Sequence, residues 1–121
     1  MASHNTLGAE GEKIATALLK QKGYLIRHSN WRSGHYELDI VACSEQELIV
    51  VEVKTRTGDR YEAPERAVDE RKIRRIVYAA DHYIRLFQIE LPVRFDIISV
   101  VKTEDGFRTE HIPDAFYAPL G

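Results

Sequence analysis

Four charged residues stand where two strands should run side by side. Tyr36-Glu37-Leu38-Asp39-Ile40-Val41 and Ile49-Val50-Val51-Glu52-Val53-Lys54 both carry strand-like, β-branched patterns. Side chains alternate between faces along a strand, so Glu37 and Asp39 share one face, with Leu38 and Ile40 on the other. Glu52 and Lys54 likewise share a face, opposite Val51 and Val53. A hairpin folded about Glu45-Gln46 pairs residues whose numbers sum to 91, so Asp39 faces Glu52 and Glu37 faces Lys54. Directly opposed carboxylates repel. At ~5 Å apart they raise one pKa unless a cation lies between them. A hard divalent cation suits the pair, because Mg²⁺ takes one or two carboxylates together with waters and phosphates.

Spacing leaves a second reading open. Antiparallel sheets often expose one polar face, and the four charges could belong to such a face with an incidental Glu37–Lys54 pair. Against it, Val50, Val51 and Val53 mark the second strand as central and buried, where charge needs a reason. Glu12 adds a weaker signal: at helical spacing it shares a face with Gly8, Ala15 and Leu19. An exposed Glu in a first helical turn, favoured there by the helix dipole, explains that position equally well.

The elements that must position these groups follow from pattern. Thr6 can cap a first helix running to about Lys22, with Gly23 as its stop and Leu7, Ile14, Leu18 and Leu19 as its apolar stripe. Tyr24-Leu25-Ile26 begins a short strand, and a polar loop ends at Gly34. Strands follow at Tyr36 to Cys43 and Leu48 to Thr55. Gly58 and Pro64 bracket a loop before a second helix, which starts near Glu65 or Asp69 and ends at Phe87. Its stripe is Ile73, Ile76, Val77, Ala80, Ile84 and Phe87. Val93 to Val101 and Phe107 to Ile112 form a last hairpin around Asp105-Gly106. The order α-β-β-β-α-β-β implies an α/β sandwich with a mixed sheet.

Composition bounds the functional classes. At 121 residues, 44% hydrophobic and 30% charged, the chain has the profile of one globular domain, 1–121. A lone cysteine, Cys43, excludes an intramolecular disulfide and a Cys-rich zinc site, and in a strand it reads as a small packed residue. The five histidines (His4, His28, His35, His82 and His111) show no metal-ligand spacing, so zinc is not expected. No apolar run approaches a membrane span, and no signal core is evident, so a cytoplasmic protein is expected. Net charge is −2, yet Lys54 to Arg75 carries a net +3, densest at Arg71-Lys72-Ile73-Arg74-Arg75. On charge alone that cluster reads as a solvated helix face. Trp31 reads as a packing or dimer residue rather than a base-stacking one, and Tyr78 and Tyr83 as core-edge residues.

Taken in order, Leu7-Gly8-x-x-Gly11-Glu12-x-x-Ala15, Gly23-Tyr24, Asn30-Trp31-Arg32, Glu37-Leu38-Asp39-Ile40, Val51-Glu52-Val53-Lys54-Thr55-Arg56, Lys72 and Arg94-Phe95-Asp96 resemble the YraN-like uncharacterised bacterial protein family. That family resembles the PD-(D/E)xK nucleases, and within them the archaeal Holliday-junction resolvases. The resemblance implies a restriction-endonuclease-like three-layer sandwich and a Mg²⁺-dependent endonuclease, with Mn²⁺ as the alternative ion. Asp39 matches the strand Asp of the nuclease motif, Glu52-Val53-Lys54 its (D/E)xK element, and Glu12 the first-helix Glu. The family usually has Gly directly before its Glu-x-Asp segment, where this chain has Tyr36. Gly34 lies two residues earlier, which alters the loop entering the site rather than the ligands.

On this resemblance, Asp39, Glu52, the Val53 carbonyl and Glu12 would hold the metal, and Lys54 would orient the attacking water or stabilise developing charge. Arg56, Arg71, Lys72 and Arg75 would contact flanking phosphates, Lys72 foremost. The implied substrate is DNA, branched or damaged DNA included. Two rivals stand beside the nuclease: a non-catalytic nucleic-acid-binding module of the same fold, and a protein-interaction domain using the acidic face. A pure binder has no need of opposed carboxylates facing phosphate. The sequence leaves a homodimer open.

Overall fold

The structure, a computed structural model, describes residues 4–58 and 68–118. The expected loop residue Pro64 and the Glu65 start of the second helix lie outside the described residues. The order is α1 (His4–Gln21), β1 (Leu25–Ser33), β2 (Tyr36–Cys43), β3 (Leu48–Thr57), α2 (Glu70–Leu86), β4 (Val93–Thr103) and β5 (Gly106–Phe116). The strands form one sheet in sequence order, β1-β2-β3-β4-β5. Only β3 and β4 are parallel, because α2 carries the chain back across the sheet between them. The two helices cover opposite faces, giving the α/β sandwich with a mixed sheet expected from the element order, in three layers.

Each face has its own core. On the α2 side Leu38, Val41, Leu48, Val50, Phe95 and Ile97 pack against Ile76, Ala79, Ala80 and Tyr83. On the α1 side Ile40, Ala42, Ile49, Val51, Ile98 and Val100 pack against Ala15 and Leu19. β3 is therefore buried on both faces, as its run of branched residues requires. α2 buries Ile76, Ala79, Ala80 and Tyr83 rather than the full expected stripe. Ile73, Val77 and Ile84 flank that contact, and Phe87 serves as the C-cap. The two alanines let the helix close on the sheet, and Tyr83 fills the space beyond them.

Local chemistry sets the element ends. Asp69 caps α2 by accepting the Lys72 N–H at 2.9 Å. α1 begins earlier than expected, so Thr6 lies inside it rather than capping it. Its end is a left-handed cap: Gly23 has φ of 95°, its N–H donates to Lys20, and the Tyr24 N–H donates to Leu19. β1 is the largest departure from expectation, continuing through Arg27-His28-Ser29-Asn30, which the sequence pattern reads as loop. Its polar side chains find a partner on α2: Arg27 Nε donates to the Tyr83 hydroxyl at 2.9 Å, and His28 Nδ1 lies 2.6 Å from it. A register shift between Ile26 and His28 accommodates them. Trp31 packs edge-on against Tyr83, so it is a core residue, as is Tyr83 itself. No helix among the described residues is long and apolar enough to cross a membrane.

Asp96 is fully buried near the start of β4. Arg94 grips it with two hydrogen bonds of 2.9 and 2.8 Å, and the Asp114 N–H donates at 2.9 Å. His111 Nε2 lies 2.7 Å away. The Lys22 ammonium, which can only donate, reaches His111 Nδ1 at 2.8 Å, so the ring proton sits on Nε2 facing Asp96. Arg94 also reaches Glu47 and the Tyr24 hydroxyl, tying β4, β5, the β2–β3 turn and the end of α1 together. Burial alone would raise the Asp96 carboxyl, but the donors from His111, Arg94 and Asp114 outweigh it and hold it below its usual range.

Two outcomes follow from this packing. Asp96→Ala would leave Arg94 and His111 facing an empty acceptor, and should cost roughly 3–5 kcal/mol in urea denaturation. At Gly11 an added Cβ would come within 2.0 Å of Thr55 Oγ1 and 2.9 Å of Thr55 Cβ. Gly11→Ala should therefore destabilise by about 1–3 kcal/mol despite alanine's better helix propensity, with partial recovery on Thr55→Ala.

Candidate active site

The β2–β3 hairpin has the register read from the sequence: Cys43 faces Leu48, Ala42 faces Ile49, Val41 faces Val50 and Ile40 faces Val51. Pairing then stops, one step before Asp39 and Glu52. β2 remains bonded to β1 as far as Tyr36, and β3 to β4 as far as Thr57. The sheet therefore parts in its middle, at the carboxyl end of β3, where open α/β sheets commonly bind ligands. Asp39 marks the parting: its Oδ2 accepts the Val53 N–H at 2.8 Å, a side chain standing where a cross-strand carbonyl would be.

The parting corrects two expectations about faces. Leu38 lies in the α2-side core and Ile40 in the α1-side core, so the alternation breaks between them instead of placing both on one face. Glu37 pairs across to Arg32 on β1, with 3.7 Å between the charges, rather than with Lys54. Both changes follow from β2 peeling away from β3.

The break brings groups from both helical layers together. A cleft of about 260 Å³ is lined by Glu12 and Gly8 of α1, Asp39 of β2, Glu52, Val53, Lys54 and Thr55 of β3, and Lys72 of α2. The carboxyls of Asp39 and Glu52 are within hydrogen-bonding reach of each other. Gly11, backbone against Thr55, lets α1 approach closely enough for Glu12 to sense the Asp39 charge. Burial and that charge both raise the Glu12 carboxyl, and Arg32 opposes them.

Lys72 is the residue whose place the sequence analysis missed. Its ammonium lies 2.5 Å from Glu52 Oε2, as an ion pair inside the cleft, not as a free group on a solvated helix face. The signal was present: Lys72 falls in helical step with Ile76, Ala79 and Tyr83, the buried stripe of α2. Arg71 and Arg75 are exposed on the same helix, and Arg56 lies two residues beyond Lys54 on β3.

Glu52 is only 8% exposed, and its carboxyl is pushed up to about 7 by burial first and the Asp39 charge second, against the pull of Lys72. A buried Glu52 beside Asp39, with one lysine paired to it, is thus short of positive charge at neutral pH. Among the described residues no three His, Cys, Asp or Glu side chains close on one point. The carboxyl groups here are two neighbours and a nearby third, Glu12. That set fits a hard cation that keeps part of its water shell, and does not fit a fully protein-caged ion.

The raised carboxyl has a signed consequence for stability. The folded chain holds the Glu52 proton more tightly than the unfolded chain, so its contribution favours folding below about pH 4.5 and is lost as pH rises through about 7. Glu52→Gln should remove that loss. Between pH 5 and pH 8 the unaltered chain should lose up to about 3 kcal/mol more than the variant, read from paired denaturation curves.

Comparison with known proteins agrees with the extent of this architecture. A model of the uncharacterised protein family UPF0102 matches residues 11–100, from the close-packed glycine of α1 to the middle of β4. The UPF0102 protein of Bacteroides thetaiotaomicron is 59% identical over 120 residues, covering 99% of each chain. That of Parabacteroides distasonis is 60% identical over 119 residues, covering 98% of each. That of Flavobacterium psychrophilum is 42% identical over 117 residues, covering 97% of this chain and 98% of the relative. The chain belongs to the uncharacterised protein family UPF0102.

Proposed function

We propose that the protein is a metal-dependent endonuclease that hydrolyses phosphodiester bonds in DNA, branched or damaged DNA included. The observation that carries this reading is the Asp39–Glu52 carboxyl pair, with Glu52 buried, at the parting of β2 and β3 with Glu12, Lys54 and Lys72 around it. Asp39, Glu52, Glu12 and the Val53 carbonyl would hold Mg²⁺ or Mn²⁺. When bound, the ion would supply charge neutralisation at the phosphate and a water of lowered pKa.

The chain's own residues supply the rest. Lys54 follows Glu52 by two positions, projects to the same side of β3 and lines the same cleft, where an ammonium can stabilise charge that develops on a phosphate oxygen. Lys72 offsets part of the Glu52 charge when no other cation is present and holds that carboxyl in place. Asp39, fixed on the Val53 N–H, is held in one orientation before substrate arrives. Arg71 and Arg75, exposed on the first turns of α2, are suited to flanking phosphates.

A second reading draws on Lys72. Because its ammonium already balances Glu52, the same cleft could serve a nucleic-acid-binding module that needs no ion and cuts nothing. One experiment separates them: cleavage of linear, nicked and four-way DNA with Mg²⁺ or Mn²⁺, with Asp39→Ala as the inactive control. Lys54→Ala should lower cleavage by ~10²-fold or more while DNA affinity falls only modestly and the thermal transition stays in place. If the unaltered chain cuts no DNA with either ion, and Lys54→Ala merely weakens binding, the binding module replaces the nuclease.

A further inference from the structure

Asp39, Glu52 and Lys72 form a wall shared by two clefts. The second, about 410 Å³, is lined beyond that wall by His35, Tyr36, Glu37, Arg75, Ile76 and Tyr78. Its volume lies at the lower end of the range for small-molecule sites, the size of one nucleoside rather than of a duplex. Three features define what fits there.

The walls are flat and aromatic, and one of them is fixed. The Tyr36 ring stacks on His82 at 4.9 Å with 22° between planes, and His82 Nε2 is held 3.0 Å from Ser33 Oγ. The His35 ring lies 4.4 Å from Tyr36 on the cleft side of the β1–β2 turn. Tyr78, on α2, lines the same cleft with 63% of its surface exposed. Neither core uses it.

Charge then decides which part of a nucleic acid enters. Glu37, Asp39 and Glu52 all line this cleft, and three carboxylates repel a phosphate. Arg75 and Lys72 sit along the α2 side and can hold phosphates at the margin. The part that suits an aromatic slot with an acidic floor is the neutral, planar part.

We propose that this cleft receives an unpaired nucleobase, so that the substrate is a strand with at least one unstacked nucleotide beside the scissile phosphate. The proposal rests on the reading that the acid pair faces a phosphodiester, and it narrows the substrate to single-stranded or locally opened DNA. Stacking between His35 and Tyr78 would carry the recognition, which is sequence-tolerant because every base has a π-face. A base that must leave a duplex to enter adds an unpairing cost, and this disfavours intact duplex.

The test measures binding in EDTA, so no cleavage is needed. The probe is a short single-stranded oligonucleotide carrying 2-aminopurine, compared with the same oligonucleotide in duplex form. The full chain should bind the single strand more tightly and quench its fluorescence by stacking. Tyr78→Ala, a change at an exposed position, should weaken single-strand binding about tenfold or more and abolish quenching, while duplex binding stays unchanged. Tyr78→Phe should retain both. His35→Ala should act in the same direction as Tyr78→Ala. If Tyr78→Ala and His35→Ala bind and quench like the unaltered chain, or if single strand and duplex bind equally, the proposal is overturned. Cleavage with Mg²⁺ and no effect of Tyr78→Ala would overturn the base cleft and leave the nuclease standing. Quenching lost with Tyr78→Ala in a chain that cuts nothing would support the cleft and remove the nuclease.

Discussion

Two neighbouring carboxyls, one of them buried, are an electrostatic liability that the surrounding structure is arranged to manage. Asp39 and Glu52 can remain together only because positive charge is delivered to them and their geometry is fixed by other bonds. The delivery comes from α2, whose first turn sets Lys72 against Glu52. A lysine in a helix's first turn sits at the unfavourable end of the dipole, so Glu52 explains its placement better than the helix does. The opposite layer contributes Glu12, and Gly11 is the reason α1 can come so near. The parting of β2 from β3 is what allows both layers to meet, since an unbroken sheet would separate them.

The two buried acids of the central strands make a useful contrast. Asp96 is surrounded by Arg94 of β4 and by His111 and the Asp114 N–H of β5, and its carboxyl is held down. Glu52 has one cation and one like charge, and its carboxyl is pushed up. One group is satisfied by the fold and closed to chemistry. The other, one rung away in the β3–β4 ladder, is left short of charge where β3 opens into a cleft. Burial is common to both; the supply of donors separates a structural tie from a site with capacity for a ligand.

Much of this was legible in the sequence because alternation and turn chemistry are local. The element order, the 91-sum register and the proximity of Asp39 to Glu52 all follow from strand period and the Glu45-Gln46 turn. β1 was not legible, because Arg27 and His28 look like loop residues until the Tyr83 hydroxyl, more than fifty residues away, supplies their partner. The split after Ile40 escaped for a related reason: period-two reading assumes a continuous ladder, and only the side-chain bond from Val53 to Asp39 reveals where it ends. Lys72 was read by its charge rather than by its helical phase, although the phase pointed inward.

The Val53 amide has a further use. Its proton is donated to one member of the acid pair, so its electronic surroundings are tied to the charge state of the cleft. Arrival of a proton on Glu52, withdrawal of Lys72 or entry of a cation would each change what Asp39 offers that amide. In a nitrogen–proton correlation spectrum the Val53 resonance is therefore an internal gauge of site occupancy. It needs no attached label, and it reads the resting chain as readily as the loaded one.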